Sequence, residues 1–323
     1  MEAREREALL CERGRALISV VGAGKQEQDA HIRIGVDRDG VLPAGLAEAC
    51  DVLLTTLPDP PRPWVEARDV DAAIAKLEQK IRSYPVASTT LAHVLRLGEA
   101  MSFEGALFLE SLAFSTLLTG AEFRQWMRSR ESFSSSCPSR ETAVVRFERE
   151  GQQVTITLAD PTRLNAYSAR MRDELVEALE NVLIDPTLPG VVLRGEGRAF
   201  CVGGELGEFG SASDMADAHL IRWTRSAAHL IHRLGERISV SLHGPCIGAG
   251  IEIAAAAWKI RCSNTAWFQL PEISMGLIPG AGGTVTIPRR IGRHRTLYLA
   301  LTGKRLNARN ALQWRLVDEV TEA

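Results

Sequence analysis

The stretches Ile247-Gly-Ala-Gly-Ile-Glu252 and Pro271-Glu-Ile-Ser-Met-Gly-Leu-Ile-Pro-Gly-Ala-Gly-Gly-Thr284 each carry a glutamate among small residues. Glycine-rich turns leave backbone N–H groups available as donors, and a glutamate beside them adds a group that can exchange protons. Either stretch alone is typical of an ordinary turn or a solvated helix face. Together they place Glu252 and Glu272 twenty residues apart, and this pairing is the most informative feature of the chain.

A third glycine-rich stretch, Ala199-Phe-Cys-Val-Gly-Gly-Glu-Leu206, lies upstream of the other two. In order and spacing the three stretches resemble the signature of the crotonase family, also called the enoyl-CoA hydratase/isomerase superfamily. That family has Ala-Phe-Cys-Ala-Gly-Ala-Asp-Leu at the first stretch and Leu-Gly-Gly-Gly-Cys-Glu at the second. The resemblance covers residues 143–320 and implies an enzyme, a hydratase/isomerase-like lyase, that acts on acyl-CoA thioesters.

The resemblance assigns two backbone donors to an oxyanion hole, which stabilises negative charge on the thioester oxygen of an enolate. One donor position matches Gly204, and the other matches Ala249. The second donor would lie at a helix N-terminus, where the helix dipole adds favourable potential. The resemblance further implies that Ala199, Cys201 and Gly203 contribute to binding the CoA thioester.

The two glutamates match the catalytic carboxylates of the family's hydratases, which have the same spacing. By that resemblance, Glu252 holds and activates the water that adds to Cβ, and Glu272 exchanges the proton at Cα. Two carboxylates can divide such work when their environments keep one ionised and the other protonated.

Strand-like and helix-like patterns alternate after residue 143. Residues 143–150 and 153–158 have strand composition around the turn Glu150-Gly151, and residues 168–183 place apolar side chains on one helical face behind the candidate N-cap Ser168. This alternation indicates βαβ units and an α/β fold. The resemblance narrows the expectation to a crotonase-like ββα spiral core with an additional helical region on its N-terminal side.

That N-terminal region has helical periodicity over residues 71–81, 91–97 and 102–118. It also resembles the helical tail with which family members continue, a tail that packs over the active site and the subunit interface. We therefore interpret residues 71–130 as a relocated tail in a circularly permuted chain. An unrelated helical domain with a similar pattern is the alternative.

The expected organisation has four parts. Residues 1–60 receive no fold, residues 61–130 form the helical region, residues 131–142 form a Ser-rich linker, and residues 143–323 form the core. The linker is expected because it combines serines with a proline.

Composition restricts the partners. Hydrophobic residues make up 45% of the chain, charged residues make up 24%, and the net charge of -2 gives no reason to expect nucleic acid or an anionic membrane as partner. No apolar run approaches the length of a membrane span, so we expect a cytoplasmic protein. The six cysteines form no CxxC pair, and no metal or redox cofactor is expected, only a CoA thioester as substrate.

The reaction favoured by these residues is reversible addition of water to a 2-enoyl-CoA. Enoyl-CoA isomerisation and cofactor-independent oxygenation of an arylacetyl-CoA stay open, as does a non-catalytic acyl-CoA-binding subunit, although a binding subunit would need neither glutamate. The resemblance also implies a homotrimer or a hexamer.

Overall fold

The computed structural model describes residues 3–11, 15–22, 29–129 and 142–322. The predicted Ser-rich linker at 131–142 lies outside these ranges except for its last residue, Thr142, and stays a prediction.

The segment before residue 69 contains a four-stranded parallel sheet in the order β1-β2-β3-β4. The sequence assigned no fold to residues 1–60, and the start of the predicted helical region at residue 61 is wrong, because the fourth strand lies at Val65–Glu66 and the first helix begins at Val70. All four residues of its short third strand are buried, as is common in parallel sheets that are covered on both faces. The elements of this segment are α1 (Ala3–Leu10), β1 (Ala16–Gly22), β2 (Ala30–Asp37), α2 (Leu46–Ala49), β3 (Val52–Thr55) and β4 (Val65–Glu66).

Four helices follow this sheet. Asp69 caps the first by accepting from Ala72 N, Pro85 begins the second where its missing N–H does no harm, and Ser102 caps the third by accepting from Gly105 N. The helices are α3 (Val70–Ser83), α4 (Pro85–Glu99), α5 (Phe103–Leu118) and α6 (Ala121–Ser129).

No single helix in the described part of the chain is long and apolar enough to cross a membrane. Helices α5 and α6 meet that test only as a pair, which is bent by 60°.

The core contains a six-stranded sheet in the order β13-β10-β8-β7-β6-β5 and a three-stranded sheet in the order β12-β11-β9. Only β5 and β12 run antiparallel to their neighbours; the remaining pairs are parallel. The strands are β5 (Val145–Glu150), β6 (Gln153–Leu158), β7 (Gly190–Gly195), β8 (Ile238–Leu242), β9 (Pro245–Ile247), β10 (Lys259–Ser263), β11 (Trp267–Gln269), β12 (Leu306–Asn307) and β13 (Glu319–Thr321).

Helices alternate with these strands, as the sequence pattern predicts. The predicted helix over 168–183 is present, and Ser168 is its N-cap, accepting from Met171 N. The α-helices are α7 (Ala169–Ile184), α8 (Met215–Thr224), α9 (Ala227–Leu234), α10 (Ala249–Ala254), α11 (Gly283–Ile291), α12 (Arg293–Thr302) and α13 (Ala308–Gln313), and the 3-10 helices are Pro161–Arg163, Leu206–Glu208, Gly235–Arg237 and Glu272–Met275.

The upstream helices pack directly on the core. Helices α4 and α5 contact α11, α5 contacts α8, and α3 and α4 contact α12. Lys80 of α3 donates to Ser274 Oγ at 2.8 Å. A Cβ at Gly276 would lie 2.6 Å from atoms of Glu122 and Phe123, so the start of α6 packs against bare backbone there.

The N-terminal sheet is joined to α12 by basic side chains that bind backbone carbonyls. Arg295 donates to Trp64 O at 3.0 Å and Pro60 O at 2.9 Å, and His294 Nε2 lies 2.8 Å from Ala47 O. These side chains give the three carbonyls hydrogen-bond donors in place of water.

Asp51 is the charged centre of this junction. It is buried, with 2% of its surface exposed, and accepts from Arg33 N at 2.8 Å and Arg96 Nε at 2.6 Å. Arg293 of α12 lies 3.5 Å away. Asp51 therefore links the sheet, α4 and α12.

The substitution Asp51→Asn is expected to lower the free energy of unfolding by about 3–5 kcal/mol, because it leaves Arg96 and Arg293 without a buried countercharge. Urea unfolding would measure the change. The matched control is Asp71→Asn, which breaks an exposed pair with Arg38 and should change stability little. Equal effects of the two substitutions would contradict the role given to Asp51.

Candidate active site

A cavity of about 560 Å³ lies between the core and helices α5 and α8. Its wall includes Gly204, Ala249, Glu252 and Glu272, the four residues that the sequence nominated for catalysis. These residues come from three separate stretches of the chain, and the fold brings all of them to one space.

The turn at Gly203 and Gly204 is held against the start of α10. Gly203 has φ +95°, and its carbonyl accepts from Tyr167 N at 2.8 Å. A Cβ at Gly203 would lie 3.0 Å from Ile247 O, so glycine permits the close approach of the two loops. In the described part of the chain, the N–H groups of Gly204 and Ala249 donate to no protein acceptor. Both are therefore available to a ligand in the cavity.

Gly248 lets the two predicted catalytic carboxylates approach each other. It has φ +48°, and the position of a Cβ there would be 2.6 Å from Glu272 Oε1 and 3.7 Å from Glu252 Oε1. Any side chain at this residue would displace Glu272. The glycine is required by both its backbone conformation and the carboxylates beside it.

Glu252 is held by the loop that leads into α11. It is 2% exposed, and its Oε2 accepts from Ala281 N at 2.7 Å and Gly283 N at 3.0 Å. Burial raises the pKa of Glu252 well above its ordinary value, and the carboxylates of Glu272 and Glu110 raise it further, while the two N–H donors oppose the rise. These donors favour Glu252 over Glu272 as the bearer of negative charge.

Glu272 begins the 3-10 helix Glu272–Met275 and has fewer hydrogen-bond donors around it than Glu252 in the described structure. It is 8% exposed, and in the described structure its buried Oε2 has no hydrogen-bond partner. Burial raises the pKa of Glu272 to about 8. The carboxyl group is therefore protonated at neutral pH and can donate a proton into the cavity.

A third buried carboxylate, Glu110 of α5, was not among the residues nominated from the sequence. Its Oε1 accepts from Gly282 N at 2.7 Å, and its Oε2 accepts from Thr284 N at 2.8 Å and Thr284 Oγ1 at 2.7 Å. Burial raises its pKa to about 7 despite these donors. The signal available in the sequence was its position in the stretch that resembles the family's tail.

The donors at the start of α11 alternate between two acceptors. Glu252 binds the N–H groups of residues 281 and 283, and Glu110 binds those of residues 282 and 284. The first N–H groups of a helix lack partners within the helix, and its dipole favours negative charge at that end. The helix end therefore fixes both carboxylates.

Part of the remaining cavity wall is apolar and aromatic, whereas serine, arginine and acidic side chains line other parts. Leu107, Phe114 and Leu118 come from α5, and Phe209 packs against Gly204, where a Cβ would lie 2.7 Å from its ring. Apolar side chains beside the buried carboxyl groups keep water away from them and strengthen electrostatic interactions there.

Known proteins resemble this chain over the part that contains the candidate active site. A family model described as "Enoyl-CoA hydratase/isomerase" matches residues 148–323, which is more than half of the chain. The chain belongs to this family. The resemblance inferred from the three glycine-rich stretches is thereby confirmed.

Relatives in the enoyl-CoA hydratase/isomerase family include 1,2-epoxyphenylacetyl-CoA isomerase of Escherichia coli, 32% identical over 174 residues that are 52% of this chain and 66% of that protein. The fatty acid oxidation complex subunit alpha of Shewanella amazonensis is 34% identical over 49% of this chain and 23% of that protein. The match thus spans less than two thirds of either relative.

Solved structures of the family share the mixed α/β fold. The enoyl-CoA hydratase from Thermoplasma volcanium is 32% identical with a TM-score of 0.52, covering 56% of this chain and 73% of that one. An enoyl-CoA hydratase subunit from Geobacillus kaustophilus is 31% identical with a TM-score of 0.51, covering 56% and 70%. The α/β, crotonase-like expectation for the core is therefore confirmed.

The three residues that the resemblance nominated for CoA binding lie behind the cavity wall. Ala199, Cys201 and Gly203 are buried, and none of them lines the cavity. The carbonyl of Ala199 accepts from Asn165 Nδ2 at 2.9 Å, and that of Cys201 accepts from Ile247 N at 3.0 Å. Their contribution to CoA binding stays a prediction.

The substitution Glu110→Gln is expected to destabilise the protein by about 2–3 kcal/mol, because an amide NH₂ would face the donors of Gly282 or Thr284. Activity should fall as well, since the same loop holds Glu252. Chemical unfolding and turnover would measure both effects. The matched control is Glu104→Gln, an exposed position on the same helix. A Glu110 variant as stable and active as the control would contradict this role.

Proposed function

We propose that the protein catalyses reversible addition of water to a 2-enoyl-CoA thioester. The observation that carries the proposal is the shared cavity, where the N–H groups of Gly204 and Ala249, which have no acceptor among the described residues, lie with the carboxyl groups of Glu252 and Glu272. Family membership supports an acyl-CoA substrate.

In the proposed reaction, the thioester oxygen binds between the N–H groups of Gly204 and Ala249. Glu252 accepts a proton from water as the water oxygen bonds to Cβ, and the electron pair of the double bond moves to give the enolate, which the two N–H groups stabilise. Glu272 then donates its proton to Cα. Return of the proton from Glu252 to Glu272 restores the starting state.

A second candidate is isomerisation of an acyl-CoA. The Escherichia coli relative is named an isomerase, and Glu272 could move a proton between two carbons of one substrate without water. The apolar and aromatic part of the cavity wall supports this alternative, since a substrate carbon held there away from water would regain a proton rather than add water.

Replacement of either carboxylate tests the hydratase. Glu272→Gln and Glu252→Gln are each expected to lower hydration of crotonyl-CoA by about 10²–10⁴-fold, measured by loss of the conjugated thioester absorbance. Because ionised Glu272 cannot donate, hydration by the unaltered protein should fall as the pH rises above about 8. The descending limb should be absent from the residual activity of Glu272→Gln.

Glu180→Gln serves as the control, since Glu180 is exposed and does not line the cavity. Unchanged hydration in the Glu272 variant would reject the two-carboxylate mechanism. A bound enoyl-CoA that shifts its double bond without hydration would favour the isomerase.

We also propose that the chain is circularly permuted, with α3–α6 in the place of the family's C-terminal tail. The contacts of α5 with α11 and with the cavity support this, and the match to the Thermoplasma volcanium chain, which covers 73% of it, leaves room for such a tail. The parallel sheet of β1–β4 is an addition in this interpretation.

A superposition that disregards chain order tests the permutation. It should place α3–α6 on the uncovered part of the Thermoplasma volcanium enzyme and raise coverage of that chain above 73%. Helices that superpose on nothing, or in the wrong direction, would indicate an unrelated helical domain.

A homotrimer or hexamer, a cytoplasmic location and the lack of a metal or redox cofactor stay predictions from the sequence.

A further inference from the structure

Three arginines line the cavity, and one of them differs from the others in its partners. Arg172 and Arg225 form ion pairs with Asp173 at 2.9 Å and 3.2 Å. Arg222, half-buried on α8, forms no ion pair with any carboxylate in the described part of the chain. A cation in this position is costly unless something neutralises it.

The contacts of Arg222 fix its orientation without neutralising its charge. Its Nη1 donates to Ser115 Oγ at 2.9 Å and lies 3.3 Å from Ser111 Oγ, and the guanidinium carbon lies 4.6 Å from the centre of the Phe114 ring. All hydrogen bonds of this guanidinium in the described structure use Nη1. The other two nitrogens keep donors for a ligand.

Glu110 acts on this cation only through space in the described structure. It favours the charged form of Arg222, but its oxygens accept from Gly282 and Thr284 and form no ion pair with the guanidinium. Burial lowers the pKa of Arg222 to about 10, which still leaves it charged at neutral pH.

We propose that Arg222 binds a carboxylate at the far end of the acyl group, so that the substrates are CoA thioesters of dicarboxylic acids. This inference rests on the proposed function, because it assumes that the cavity holds an acyl-CoA. A planar guanidinium with two available nitrogens matches a carboxylate, which can accept two parallel hydrogen bonds. The apolar side chains of Leu107 and Leu118 supply a wall for the carbon chain between thioester and carboxylate.

Binding of saturated thioesters tests the inference without turnover. The dissociation constants of glutaryl-CoA and butyryl-CoA, which differ by one carboxylate, would be measured by calorimetry, and adipyl-CoA and valeryl-CoA form a second pair of greater length. The unaltered protein should bind the acidic member at least about tenfold more tightly in one of the pairs. In Arg222→Gln the ratio should fall to one or below, and Arg222→Lys should keep part of it.

Arg233→Gln is the matched control, because Arg233 is exposed on α9 and does not line the cavity. The inference would be overturned if the two dissociation constants of each pair were nearly equal in the unaltered protein, or if Arg222→Gln left their ratio intact. Arg222 would then only link α8 to α5 through its hydrogen bonds. Should Arg222→Gln fail to fold, the ratios of the unaltered protein and of Arg222→Lys decide.

Hydration assays decide on the proposed function independently of the binding measurements. Preferential binding of the acidic thioesters without hydration of either crotonyl-CoA or glutaconyl-CoA would retain the role of Arg222 and reject the hydratase. Hydration of crotonyl-CoA with no preference for acidic thioesters would do the reverse. Failure to bind any of these CoA thioesters would overturn both.

Discussion

The rest of the site depends on the hydrogen bonds that the N-terminus of α11 donates to buried carboxylates. Its backbone N–H groups are shared alternately by Glu252 of the core and Glu110 of α5. A buried carboxylate is stable only when donors replace the water it has lost, and a helix end supplies donors of the favourable sign. One helix end therefore positions a predicted catalytic residue and ties an upstream helix to the core.

This arrangement also separates the properties of the carboxyl groups. Glu252 and Glu110 both accept backbone N–H groups, whereas the Oε2 of Glu272 has no partner in the described structure. At Glu272 burial outweighs the opposing effect of the residue's own backbone N–H, raises the pKa to about 8 and keeps the proton in place at neutral pH. Two groups of the same chemical type can thus serve as base and acid within one cavity.

Much of this site could be predicted because its residues lie in short stretches with distinctive chemistry. Glycines at 203, 248 and 282 have positive φ, and such positions are visible in a sequence as glycine-rich turns. The alternating strands and helices of the core were equally readable, since burial on one face leaves a period in the sequence.

Other features had no local signal. Glu110 lies 172 residues before Gly282, its hydrogen-bond partner, and only the folded chain brings them together. Arg222 sits in a helix whose pattern does not reveal that it faces a cavity. In the N-terminal sheet, β3 and β4 have only four and two residues, so their periodicity was too brief to distinguish from that of loops.

The position of α5 upstream of the core has a consequence during protein synthesis. A ribosome adds roughly 5–20 residues per second, so on the order of 10–30 seconds pass between the appearance of Glu110 and that of the backbone that binds it. Throughout that interval the side chains of Leu107, Phe114 and Leu118 lack the partners that cover them in the finished molecule. The upstream helices therefore wait for the core against which they pack, and their apolar side chains stay without that cover until the core has been synthesised.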